Sequence, residues 1–411
     1  MQKLKINKKN AVYYVLFLFA ILRYLFPYYI KKVVESVYIV DLSFEILTVG
    51  LIILLFILNN KFPKPSIIII AAIYLWFFIT TLINGGNIYI AFIHGAQLVM
   101  LCVLMDIVTD NEDMIEPFLR VVRDVTLLFY IINFFVMILL PDGIPSISVG
   151  TSYPWYLYGN VNATIKYIMP GLCASLILDS RKKRIISVPS VIMIAGIIVT
   201  AFTVYFTATA VIGDLIVIAW VFGHKLFEKR KWKLYAAAFL MVFVFETVVV
   251  FGTRGSGVLP YITAIFHKDA TFSGRTPLWV RTCSEFVQKP VSGYGYRSYD
   301  ELFSAVGNGY GCHNYYLDIM YQRGIIGLVL ILALFIIPIV CCWKKKVESR
   351  SVYILIGICI AYAVMFLAEP FYDYEFLFIP IFYVLYSLSF KNKSRALIPK
   401  HILERLRSRS N

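Results

Sequence analysis

Apolar runs of about 20 residues, each bounded by charged or turn-forming residues, recur along nearly the whole of this chain. That is the length a helix needs to cross the hydrocarbon core of a bilayer. The runs fall at 11–30, 38–58, 65–84, 88–109, 121–140, 161–179, 185–204, 206–223, 234–252, 323–342, 351–369 and 371–390. With 60% hydrophobic residues, 15% charged residues and a mean hydropathy of +0.76, the solvent for most of this surface is lipid. The expectation is an all-α, polytopic helical membrane protein of about 12 transmembrane helices, with one large extracytoplasmic loop containing short helices.

The net charge of +15 sits in short clusters between the runs, not on one basic face. Topology accounts for such a pattern, and no nucleic-acid partner is expected. With the N-terminus in the cytoplasm, the inner connections hold Lys61 and Lys64, Arg120 and Arg123, Arg181 to Arg184, Lys225 to Lys233, Lys344 to Lys346 and the tail from Lys391. The short outer connections are then nearly free of basic residues, apart from Lys31 and Lys32. The chain divides into helices 1 to 9 (1–252), an extracytoplasmic loop (253–322), helices 10 to 12 (323–390) and a basic cytoplasmic tail (391–411). The division between 185–204 and 206–223 rests on charge, because merging them would place Lys225–Lys233 outside. The basic N-terminal start opens an uncleaved first span, since the run is long for a signal peptide and lacks a small-residue cleavage site.

Seven scattered cysteines, without a CxxC pair or histidines at zinc spacing, indicate neither a metal site nor a disulfide framework. Cys283 and Cys312, the two placed outside the membrane, read as unpaired thiols. Charges inside spans are costly enough to mark functional candidates, and Lys166, Asp41, Glu45, Arg23 and Asp214 qualify. For Lys166, snorkelling to the interface is the competing reading.

The large loop carries three local signals. Thr276-Pro277 reads as a helix start, with Trp279, Cys283 and Phe286 at helical spacing and an end before Pro290. Ser273-Gly274-Arg275 just before it suits an anion such as phosphate. Pro290 to Gly295 is a glycine-dependent turn, and Ser298 with Glu301 has capping-box spacing for a second short helix ending near Gly307. Finally, Gly311-Cys312-His313-Asn314 leads into the tenth span, with Asn314, Asp318 and Gln322 on one helix face.

His313-Asn314, Leu317, Gly324 and Gly327 form the pattern HNxxLxxxxxxGxxG, which resembles the signature of the bacterial O-antigen polymerase and ligase superfamily. Gly274-Arg275, Trp279, Pro290 and Gly293-Tyr294-Gly295 resemble the same family's GR…W…P…GYG stretch, and Gly159-Asn160-Val161-Asn162 its asparagine-rich entry to the sixth span. The close likeness covers roughly 271–327. It implies a membrane glycosyltransferase that moves a growing glycan from a polyprenyl (undecaprenyl) diphosphate donor to an acceptor sugar hydroxyl at the outer face of the plasma membrane. Where ligases of the family carry an arginine in an SR motif, this chain reads Thr207-Ala208-Thr209-Ala210, which favours a polymerase.

Such a transfer needs a base for the acceptor proton and positive charge for the departing diphosphate. His313 and Arg275 are the catalytic candidates. Arg254, Arg297, Lys166, Asn162, Asn314 and Asp318 are candidates for binding diphosphate or sugar. No metal and no cofactor are expected. The partners expected are a polyprenyl-diphosphate-linked oligosaccharide, membrane lipids, and flippase and chain-length regulator proteins. Two alternatives remain at this point: an O-antigen-type ligase using a different acceptor, and a transporter or flippase, which the absence of a repeat between the two halves disfavours.

Overall fold

In lipid every backbone N–H and C=O must find a partner inside the protein, and the apolar runs accordingly fold as helices. A computed structural model describes residues 8–30, 36–59, 63–148, 153–203, 206–250, 274–345 and 349–390, and every regular element among them is a helix. Those of two turns or more are α1 (Lys8–Leu25), α2 (Ser36–Asn59), α3 (Ile67–Ile83), α4 (Ile88–Asp110), α5 (Glu112–Leu139), α6 (Val161–Arg181) and α7 (Val188–Thr203). They continue as α8 (Ala208–Phe222), α9 (Lys231–Phe245), α10 (Arg275–Gln288), α11 (Tyr299–Val306), α12 (Tyr315–Lys344), α13 (Arg350–Met365) and α14 (Glu375–Ser387).

Five of these are long and apolar enough to cross a membrane alone: α4, α5, α6, α12 and the last helix, taken as Tyr372–Phe390. A sixth crossing forms if Ala208–Phe222 and His224–Val248, bent by 79° at their break, act together. The shorter apolar helices α3, α7 and α13 pack among them. The runs on either side of Thr207 are separate helices, α7 and α8, lying against each other. This is a multi-pass helical membrane protein. At its centre stands α6, covered on nearly all sides by α5, α7, α13 and α14.

One buried charge cluster ties four helices together. The Glu375 carboxylate accepts from Arg323 at 2.8 Å, Tyr74 at 2.9 Å and Tyr315 at 2.8 Å, and His94 Nε2 lies 3.2 Å away. Arg323 stacks over Phe77 at 4.3 Å. Burying such a pair is expensive unless its remaining bonds are filled, and here two tyrosines and a histidine fill those of the acid.

Helix α12 is interrupted at Gly324, whose φ of 62° and ψ of −167° only glycine adopts without strain. The break frees three successive carbonyls, and each is taken from outside the helix. Tyr294 N–H donates to Tyr321 O at 2.8 Å, Gly295 N–H to Gln322 O at 2.7 Å, and Trp76 Nε1 to Arg323 O at 2.8 Å. Ile325 N–H in turn donates to Pro290 O at 2.8 Å. The Pro290–Gly295 turn is therefore the hydrogen-bonding complement of the kink, with all these backbone groups paired.

Between the turn and α9, a second small core gathers Val250, Trp279, Cys283, Leu302, Val306, Cys312 and Leu317. Helix α10 begins at Arg275, one residue before the expected cap Thr276, because Gly274 takes the cap position with φ 81°. Ser298 and Glu301 make the reciprocal cap of α11, which ends at Gly307 with φ 94°. Arg297 and the Ser298 backbone N–H hold the Glu301 carboxyl below its usual range, the backbone bond contributing most. Cys102, Cys173, Cys312, Cys341, Cys342 and Cys359 are free thiols.

Candidate functional site

His313 stands in a tight loop that its neighbours shape. Gly311 has φ 86° and His313 itself φ 58°. A side chain at Gly311 would collide with the Asp318 carboxylate, which accepts the Cys312 N–H at 2.9 Å. Asn314 caps α12 by accepting the Leu317 N–H at 3.0 Å, and its amide donates to Glu246 at 2.7 Å and to Leu367 O at 3.4 Å. Asn314 and Asp318 thus hold the loop in shape, and their present partners are protein groups.

The histidine's tautomer follows from Asn308. The Asn308 oxygen accepts from Tyr310 N–H at 3.0 Å, leaving its amide N–H to donate to His313 Nε2 at 2.9 Å. Nε2 is then the acceptor nitrogen and Nδ1 carries the proton. Nδ1 is buried without a hydrogen-bond partner. Burial, reinforced by the Arg275 and Lys166 cations and opposed by Glu369, pushes the imidazole down to about 4. The ring is neutral at physiological pH.

Two cations meet beside it on one carboxylate. Arg275, at the start of α10, reaches Glu369 Oε1 at 3.0 Å, and Lys166 of α6 lies 3.7 Å from Oε2. Lys166 also donates to Pro370 O at 2.7 Å and sits over the rings of Tyr374 at 4.6 Å and Phe371 at 4.9 Å. It does not snorkel, being 4% exposed, whereas Arg275 keeps 22% exposure and a route to the outside. Asn314 bonds the carbonyl two residues before Glu369, which brings this acid next to the His313 loop.

Arg275, Lys166 and His313 therefore converge through Glu369. Asn162 lies one turn before Lys166 on α6. Arg297 is not brought to this cluster. It pairs with Glu301 at 2.8 Å and donates to Asn84 O at 3.1 Å, bracing the loop on the end of α3. Arg254 lies outside the described residues. Asp214 is fully buried in α8, its two oxygens without a protein partner. Sequence reasoning passed over Glu369, Glu246 and Asn308. The signal for the two acids was present, since a carboxylate at the edge of an apolar run is costly. Among the described residues no group of three or more acids, histidines or cysteines is placed to hold a metal.

Comparison with known proteins points the same way. Residues 190–332 match a family model described as O-antigen ligase, a segment that holds Arg275 and His313. The exopolysaccharide production protein ExoQ of Rhizobium meliloti (strain 1021) is 26% identical over 137 residues, covering 30% of this chain and 32% of that protein. The match thus spans about a third of the relative's length. No solved structure matches. Through this segment the chain is similar to the O-antigen polymerase and ligase superfamily.

Proposed function

We propose that this chain is a polysaccharide polymerase, transferring glycan from an undecaprenyl diphosphate donor to a lipid-linked acceptor at the outer face of the plasma membrane. The observation that carries this reading is the meeting of a neutral histidine with two cations on one buried acid. In this reading the twelve apolar runs cross the membrane with both termini cytoplasmic, and 253–322 is the outer catalytic loop. His313 accepts the acceptor hydroxyl proton at Nε2 as the new glycosidic bond forms. The bond from the anomeric carbon to the diphosphate oxygen breaks, and Arg275 and Lys166 stabilise the charge left behind. Arginines and lysines supply that charge, and the reaction proposed uses no metal.

The direct test is chain extension of a lipid-linked repeat unit by purified protein in detergent. Without compartments a carrier has nothing to transport, so extension supports the enzyme and its absence with a folded protein refutes it. A ligase is the second reading, favoured by the description of the matching family model. A deletion strain separates them: loss of a polymerase leaves single repeat units on the final acceptor, loss of a ligase leaves long chains on the carrier lipid.

The pH dependence has a definite sign. Because His313 in the free protein is held near 4, its base form persists through neutrality and is lost only as pH falls toward that value. The expected kcat/KM profile is flat from neutrality down to about 5, with its acid limb near 4. A limb at 6.5 or above would show an unperturbed or exposed imidazole.

A further inference from the structure

We infer that Glu369 is a two-position carboxylate: it occupies the diphosphate site in the empty protein, and an arriving diphosphate moves it onto His313 Nδ1, completing the catalytic base. The inference rests on the transferase reading above.

Charge count drives the exchange. One carboxylate faces two cations, Arg275 at 3.0 Å and Lys166 at 3.7 Å. A bridging diphosphate presents oxygens of the same kind to the same two cations. Holding Glu369 there as well would crowd like charges in a site where Lys166 and Glu369 are almost fully covered. The carboxylate must leave, and one acceptor-poor group stands beside it. His313 Nδ1–H is buried with no partner, an uncompensated donor of the sort proteins rarely retain. Glu369 sits on a bend between α13 and α14, outside any helix, while Asn314 anchors the carbonyl of Leu367 just before it.

Seated on Nδ1, the carboxylate fixes the tautomer with Nε2 as acceptor and stabilises the imidazolium as it forms. The acceptor hydroxyl takes the place of the Asn308 amide at Nε2 and passes its proton there. Its oxygen bonds to the anomeric carbon, and the diphosphate leaves with the electron pair of the broken bond. Glu369 is thus a positioning residue, and donor binding switches the base on.

The test uses full-length protein in detergent, with inorganic pyrophosphate as the binding probe and a lipid-linked repeat as the turnover substrate. Removing the competing charge in Glu369→Gln is expected to tighten pyrophosphate binding about fivefold or more. The same change should lower kcat about 10²- to 10⁴-fold. Among the described residues, the charged groups facing His313 are Glu369, Arg275 and Lys166. Losing the only acid among them moves the acid limb of kcat to lower pH than in wild type. A variant merely damaged in structure would bind pyrophosphate more weakly, so unchanged or weaker binding overturns the inference, as does an unchanged kcat.

If Glu369→Gln does not fold, Glu369→Asp keeps the charge on a shorter arm. It should hold pyrophosphate affinity within about threefold of wild type while kcat falls about tenfold or more. Wild-type kcat in that variant overturns the switch. Wild-type protein that neither binds pyrophosphate nor turns over the donor overturns the transferase reading itself. A wild-type protein that does both, with Glu369 silent, overturns only this inference.

Discussion

His313→Ala is expected to slow glycan transfer by about 10²- to 10⁴-fold, the usual contribution of a positioned general base, while the protein inserts and folds. The ring makes one hydrogen bond, to Asn308 at 2.9 Å, and α12 is started by Asn314 and Asp318, which the substitution leaves in place. The main structural cost is backbone: alanine at φ 58° is disfavoured by about 1–2 kcal/mol relative to a residue at ease there. His313→Asn, a residue type tolerant of that region, removes the imidazole with less strain and serves as the control. Both variants should show wild-type thermal transitions in detergent, or nearly so, and neither should extend chains. Wild-type chain lengths from either would remove His313 from the reaction. Arg275→Ala should be comparably inactive for a different reason, leaving the departing diphosphate with Lys166 alone.

Gly324→Ala is expected to do the opposite, losing the fold and the activity together. Its φ of 62° and ψ of −167° belong to a region that alanine enters only at a cost of about 1–3 kcal/mol. The added Cβ would also lie 2.2 Å from Val291 O and 2.4 Å from its carbonyl carbon. Both atoms are backbone, so nothing flexible can give way. Relief requires moving the Pro290–Gly295 turn off α12, which strands the carbonyls of Tyr321 and Gln322 and the N–H of Ile325. Each unpaired buried group costs about 1–3 kcal/mol. The expected result is a clear fall in folded yield and thermal midpoint, measured by tryptophan fluorescence or differential scanning in detergent. A wild-type midpoint would show that the turn does not close on this kink.

Hydropathy made the helical, multi-pass character of this chain legible, because lipid admits few other solutions for an apolar backbone. Local chemistry likewise marked the two short loop helices. Ser298 with Glu301 is a self-contained cap, and the stripe of Trp279 and Cys283 needs only periodicity to be seen. The same residues misplaced the start of α10, since Thr276-Pro277 looks like a cap until Gly274 is seen in a left-handed conformation. Arg297 read as a phosphate ligand for want of knowing that Glu301 and Asn84 already hold it.

By itself, then, the sequence determined the solvent and the helices, which rest on residue type and spacing over a few turns, and a family resemblance named His313 and Arg275 as the catalytic candidates. Only the tertiary structure decided that Lys166, 109 positions before Arg275 in the chain, shares Glu369 with it, that the glycine turn feeds the broken carbonyls of α12, and that the His313 Nδ1–H has no hydrogen-bond partner. Those are long-range pairings between groups that each could have found another partner, and spacing along a chain carries no information about which partner packing will supply.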